Sequence, residues 1–250
     1  MTVVHAVIGG SGFYSLGDDF RIDRCEKPET PFGRTSAEIQ LGRWGEHDIV
    51  FLARHGETHQ IPPHAINYRA NLWALQAVGV THIFAINAVG GITPDLPPQT
   101  LALPDQIIDY TSGRAHTFFD GNRQDIEHID FTLPYSKTLR DSIIAAGKSA
   151  GIDLVGTGTY GCTNGPRLET AAEIRKMGKD GCNMVGMTGM PEAALARELS
   201  IEYATIALVV NWCAGIEASV LDMEQIKKVL ADRIDSVKSL ILATLEGLTR

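Results

Sequence analysis

Several short segments carry groups suited to binding an anion and a polar ring. Arg54-His-Gly-Glu-Thr-His59 sets a forked guanidinium beside a histidine at the end of an apolar run, a donor set that fits phosphate. Gly9-Gly-Ser-Gly12 and Asn87-Ala-Val-Gly-Gly91 follow apolar runs with small residues, so backbone N–H groups can approach an anion; a plain tight turn explains either equally well. Gly165-Pro-Arg-Leu-Glu169 puts a carboxylate at the expected start of a helix, where it could also be no more than a favourable charge at the positive end. Met187-Thr188 and Asn211 bracket a helix and a following strand, and both should open on one crevice. Three histidines, His55, His59 and His64, suggest a metal. However, Gly56, Pro62 and Pro63 make the segment a loop, and no cysteine or carboxylate pattern completes a zinc set, so no metal is expected. Gly10-x-Gly12 continues to Ser15 where a dinucleotide fingerprint needs glycine, and no nucleophile elbow is present.

Elements that would position these groups can be read from the apolar patterning. Val3 to Ile8, Asp48 to Ala53, Thr81 to Ile86 and Tyr203 to Val210 are apolar runs that predict strands, the last buried on both faces of a mostly parallel sheet. Further strands are expected at Ala37 to Leu41, Leu101 to Asp109 and Leu154 to Tyr160. Helices are expected over about Ala65 to Val78, Ser136 to Ala150, Glu169 to Met177, Glu192 to Leu199 and Met223 to Leu245. Thr188 is placed to cap the fourth of these, and Asp222 with Gln225 resembles a capping box for the last. Asn87 to Gly91 reads as a loop, and Tyr110 to Tyr135 as a long functional one. Alternating strands and helices predict an α/β fold in one domain over 1–250, with a central mixed sheet flanked by helices.

The composition excludes some partners. A net charge of −8 over 250 residues argues against nucleic acid, and no run approaches the roughly 18 apolar residues of a membrane span. The first apolar run is short and ends in glycines, unlike a secretory signal, and the four separated cysteines are expected reduced in a cytoplasmic protein.

Six blocks in register resemble the trimeric purine nucleoside phosphorylases, in particular the methylthioadenosine phosphorylase branch. They are Ile8 to Gly12, Leu52 to Gly56, Asn67 to Leu75, Asn87 to Gly91, Gly165 to Arg167 and Met187 to Glu192. The resemblance implies metal-free and cofactor-free phosphorolysis of a nucleoside, with inorganic phosphate as co-substrate. It implies that Ser11, Arg54, His55, Asn87, Ala88 and Thr188 hold phosphate, that Met187 lies against the ribose, and that Leu168 packs on the purine. It also implies a homotrimer in which His128 reaches the neighbouring subunit's substrate.

Two departures from that branch bear on the substrate. Asn211 stands where the branch has aspartate, and an asparagine amide can donate to a 6-oxo group while its carbonyl accepts from N7–H. Glu169 replaces a small residue and matches a glutamate with which 6-oxopurine phosphorylases hold the N1–H edge; Cys213 replaces a second aspartate. At the 5′ end, Leu221, Met223 and Ile226 offer an apolar wall with no histidine, which suits a methylthio group, although they could be only a helix's inner stripe. The expectation is phosphorolysis of S-methyl-5′-thioinosine to hypoxanthine and 5-methylthioribose 1-phosphate. A methylthioadenosine or an inosine/guanosine phosphorylase remains the alternative within this class, and a dinucleotide oxidoreductase or a non-catalytic nucleoside binder outside it.

Overall fold

Uninterrupted apolar strands set the middle of the sheet. The computed structural model describes residues 3–121, 126–217 and 222–248. Its first half contains β1 (His5–Gly9), β2 (Phe20–Glu26), β3 (Ile39–Trp44), β4 (His47–Ala53), α1 (Tyr68–Ala77), β5 (His82–Gly91), β6 (Leu101–Ala102) and β7 (Gln106–Asp109). Its second contains α2 (Lys137–Ala150), β8 (Thr159–Cys162), α3 (Ala171–Lys179), β9 (Met184–Gly186), α4 (Gly189–Glu198), β10 (Glu202–Trp212) and α5 (Met223–Leu248). The sheet is mixed, in the order β2-β3-β4-β1-β5-β9-β8-β7, with β10 beside β5 and β6. Residues alternate between its two faces. Ala6 and Ile8 join a core under α1 and α4, whereas Val7, Phe51, Phe84 and Ile206 join one under α2 and α5.

The sheet opens at the carboxyl end of β1. Beside β5, β1 pairs only as far as Ile8↔Ala85; β5 runs on to Gly91, where β9 takes that side at Gly90↔Val185. The strand order therefore changes just where the Gly9–Gly12 turn leaves the sheet, and a ligand crevice is expected outside such a switch point. Asn87 to Gly91, expected as a loop, is the second half of β5, because β10 pairs with it throughout.

Boundaries elsewhere moved for local reasons. Asn67 caps α1 by accepting from the Ala70 amide, so that helix starts three residues later than its apolar pattern suggests. Thr170 and Glu173 form a capping box for α3, which leaves Glu169 ahead of the helix rather than in it. Thr188 stands at the N-cap of α4, but its side chain makes no cap hydrogen bond, and Met190 is extended (φ −119°, ψ 141°), so regular helix begins at Pro191. In α5 the Asp222 carboxylate accepts from the Glu224 amide, a cap without the expected glutamine. The strand expected over Leu154 to Tyr160 instead begins at Thr159 and runs to Cys162 as β8, and β2 and β9 fall where the apolar patterning predicts no strand. Among the described residues no helix is long and apolar enough to cross a membrane.

Two buried histidines give this fold an acid limit. Burial, reinforced by His82 and His47, lowers His5 to about 4; burial and the neighbouring Arg54 lower His55 to about 4. Folding thus favours the neutral rings. Their contribution is complete above the ordinary value near 6.5 and is lost as pH falls from there toward 4, on the order of 3 kcal/mol for each. Urea midpoints should fall steadily between pH 6.5 and 4.5, and His5→Gln should flatten the profile; a wild-type profile flat across that window would refute this.

Candidate active site

The phosphate-type residues come together at the switch point. Gly10 must lack a side chain, because a Cβ there would strike the Ile86 carbonyl and lie 3.0 Å from Arg54 Nη1. Arg54, at the end of β4, is fully buried, and its backbone N–H donates to the Gly9 carbonyl, tying the two strand ends together. The forked edge expected to face phosphate instead faces protein: Nε and Nη2 donate to Glu192 Oε2 and Oε1, each at 2.7 Å, and Nη1 donates to the Ile86 carbonyl at 2.8 Å. Burial alone would lower the Arg54 pKa, but the Glu192 carboxylate overrides it and raises the value. One hydrogen on each Nη is left over, since a guanidinium has five N–H bonds.

The other anion-side groups are oriented by hydrogen bonds behind them. His55 Nδ1 lies 2.9 Å from the Ile61 carbonyl, which can only accept, so Nδ1 carries the proton and Nε2 of the neutral ring is an acceptor. His59 stacks on His55 at 4.6 Å and pairs with the Tyr14 hydroxyl through Nδ1 at 3.0 Å. Asn87, buried on β5, donates from Nδ2 to Thr188 Oγ1 at 2.7 Å, which frees the Thr188 hydroxyl hydrogen.

The Asn211 end is shaped by an irregularity. The register of β10 on β5 shifts between Val209 and Asn211, and such a bulge re-aims the next side chain. Asn211 then donates from Nδ2 to the Trp212 carbonyl at 2.7 Å, leaving Oδ1 and the second amide hydrogen. Gly90 makes room for this: a Cβ there would lie 2.6 Å from Cys213 Sγ and 3.3 Å from Asn211 Nδ2. Gly90→Ala should therefore force Cys213 aside and crowd Asn211, cutting turnover at least about tenfold while costing about 1–3 kcal/mol of stability; normal activity would show that Asn211 needs no such fit. Glu169 accepts from the Thr163 hydroxyl at 2.5 Å through Oε1, which leaves Oε2.

One cavity of about 430 Å³ joins these groups. Ser11, Arg54, His55, Asn87, Ala88 and Thr188 line one part of it; Leu168, Glu169, Met187 and Asn211 line another, with Leu168 exposed at the rim. Met223 and Ile226 also line it, from the first turn of α5. His128 is exposed and is not part of this wall, and Leu221 lies outside the described residues. Among the described residues, no three His, Cys, Asp or Glu side chains are grouped to hold a metal.

Residues 4–246 match the model of the Phosphorylase superfamily. The chain belongs to that family. A probable S-methyl-5′-thioinosine phosphorylase of Pseudomonas syringae pv. tomato is 48% identical over 98% of this chain and 99% of its own. A 6-oxopurine nucleoside phosphorylase of Pyrococcus furiosus is 43% identical over 96% of this chain and 91% of its own. The crystallised methylthioadenosine phosphorylase of Schistosoma mansoni in complex with adenine superposes with a TM-score of 0.94 at 30% identity, over 99% of this chain and 92% of that one.

Two residues behind this phosphorylase's cavity wall, Glu192 and Arg114, and several in the wall itself carry little local mark in the sequence. By its sequence Glu192 is a plain helix former, yet it is fully buried against Arg54 and also accepts from the Tyr203 hydroxyl at 2.8 Å. The available signal is a carboxylate set among Pro191, Ala193, Ala194 and Leu195, in the apolar first part of a helix whose other charges, Arg197 and Glu198, come only at its end. Arg114 was not singled out either. Its guanidinium donates to the carbonyls of Thr163, Asn164, Met187 and Met190, so it clasps the segments that carry Glu169 and Thr188. Tyr14, Lys227 and Leu230 also line the wall, with the Lys227 ammonium 3.0 Å from Glu224.

Proposed function

We propose that this enzyme is a pentosyltransferase that cleaves S-methyl-5′-thioinosine with inorganic phosphate, yielding hypoxanthine and 5-methylthioribose 1-phosphate without a further cofactor. The observation that carries the reading is the amide of Asn211. A backbone carbonyl can only accept, so Trp212 takes one Nδ2 hydrogen and orients the remainder. Oδ1 is then available to accept from N7–H, and the second amide hydrogen to donate to O6. Glu169 Oε2 accepts from N1–H. This set complements hypoxanthine; the amino group and bare N1 of adenine would leave groups unpaired.

The anion end supplies the nucleophile. Arg54, the Thr188 hydroxyl, Ser11 and the Ala88 backbone hold phosphate beneath the sugar, and His55 Nε2 accepts from its P–OH. As the glycosidic bond breaks, positive charge grows at C1′ and negative charge on the base. A phosphate oxygen bonds to C1′ as the C1′–N9 bond breaks. The base takes up one proton at N7, balanced by the P–OH proton that the sugar phosphate gives up, and Asn211 Oδ1 accepts from that N7–H. Met223 and Ile226 cover the 5′ substituent, where each buried methylene-sized group contributes about 0.8 kcal/mol. The exposed position of His128 fits a homotrimer in which it is donated to a neighbour's cavity.

Methylthioinosine, methylthioadenosine and inosine, each with phosphate, distinguish the readings by kcat/KM. The first should be preferred by about 10²-fold or more over the second. Faster cleavage of methylthioadenosine would overturn the roles of Asn211 and Glu169. Equal use of inosine would favour a general 6-oxopurine phosphorylase, a reading supported by the Pyrococcus relative.

A further inference from the structure

The guanidinium assigned to phosphate uses its forked edge on the protein itself. Arg54 and Glu192 are both fully buried and joined by two bonds of 2.7 Å, and the Ile86 carbonyl holds Nη1 at 2.8 Å. Glu192 is fixed in turn by the Tyr203 hydroxyl at 2.8 Å, and the Tyr203 ring stacks on Tyr135. None of the three contacts on Arg54 involves a crevice group, so the guanidinium plane is set before any ligand arrives. Its two unused hydrogens, one on each Nη, are the part left for an anion. The carboxylate also cancels the cation's charge. An unclamped arginine would instead sample many rotamers and attract anions of any shape.

We propose that Glu192 is the positioning residue of the phosphate subsite: by holding Arg54 through its fork, it converts a flexible cation into a fixed pair of donors, and Tyr203 secures it from behind. This rests on the assignment of phosphate to the Arg54 end. Preorganised donors hold a ligand, and above all a transition state, without reordering on binding. Glu192→Gln places an amide N–H against one of the arginine N–H groups and breaks the fork. Tyr203→Phe keeps the fork and the ring stack but releases Glu192.

The test is calorimetric titration of inorganic phosphate into wild type, Glu192→Gln and Tyr203→Phe, with steady-state KM values for both substrates. Glu192→Gln should weaken phosphate at least about tenfold, and Tyr203→Phe about threefold, while KM for the nucleoside stays within about twofold. Tyr203→Phe keeps the question answerable should Glu192→Gln fail to fold. Phosphate affinity unchanged in a folded variant overturns the inference alone. An equal rise in both KM values makes the role merely structural and overturns it too. A wild type that binds no phosphate overturns the subsite assignment and the inference together.

Discussion

Asn211→Asp is expected to lower kcat/KM for methylthioinosine about 10²-fold and to move the ratio of methylthioinosine to methylthioadenosine by about 10³-fold toward the adenine substrate. The reason begins at the Trp212 carbonyl, 2.7 Å from Asn211 Nδ2. An ionised aspartate would set an oxygen against that oxygen. It must either take up a proton to donate there or rotate away. In both cases the hydrogen proposed to serve O6 would be gone and O6 left desolvated, a penalty of about 1–3 kcal/mol. A carboxylate oxygen in the crevice can instead accept from the 6-amino group, which adds to the change in ratio. Sites that pair one edge of a ring discriminate by up to about 10⁴–10⁵, so the predicted shift is well inside what such chemistry delivers. The two kcat/KM values measured at one phosphate concentration decide it; a ratio unmoved by the substitution would mean that Asn211 does not read the base.

The same residue marks what a sequence can and cannot disclose. That Asn211 lies at the end of a strand, one residue before the last of β10, follows to within a residue from the apolar run before it, and its neighbours in the cavity follow from family blocks in register. Its aim does not, because the bulge after Val209 depends on which residues of β5 lie opposite. Pairing also explains the misread segments. Asn87 to Gly91 has the composition of a turn but becomes strand because β10 and β9 flank it. β2 escaped notice because it is an edge strand, exposed along most of its length, with no alternation for a pattern to reveal. Glu192 is the instructive omission. A helix-forming glutamate is unremarkable until Arg54, 138 positions earlier, is buried against it. Local propensity reads one residue in its neighbourhood, whereas a buried ion pair is a fact about two distant ones.

That pair yields the prediction with the widest separation between stability and function. Arg54→Met should destabilise the protein by about 3–5 kcal/mol, because it leaves the Glu192 carboxylate fully buried with only Tyr203 as partner. At about 2–4 °C per kcal/mol for a chain of this size, the melting temperature should drop by about 10 °C. Adding Glu192→Leu removes the stranded charge, and replacing a whole buried pair by apolar side chains is often neutral or stabilising. The double variant should therefore melt near the wild type. Its activity should not return. The two charge-assisted hydrogen bonds proposed to reach phosphate, at about 1.5–3 kcal/mol each, would be missing in both variants, so kcat/KM for phosphate should be lower by about 10³-fold in each. Thermal melts and phosphate-dependent kinetics on the same preparations separate the two effects. If the double variant melts as low as the single one, the carboxylate was never the source of the instability. If instead it regains turnover, Arg54 is a structural residue and the phosphate lies elsewhere in the crevice.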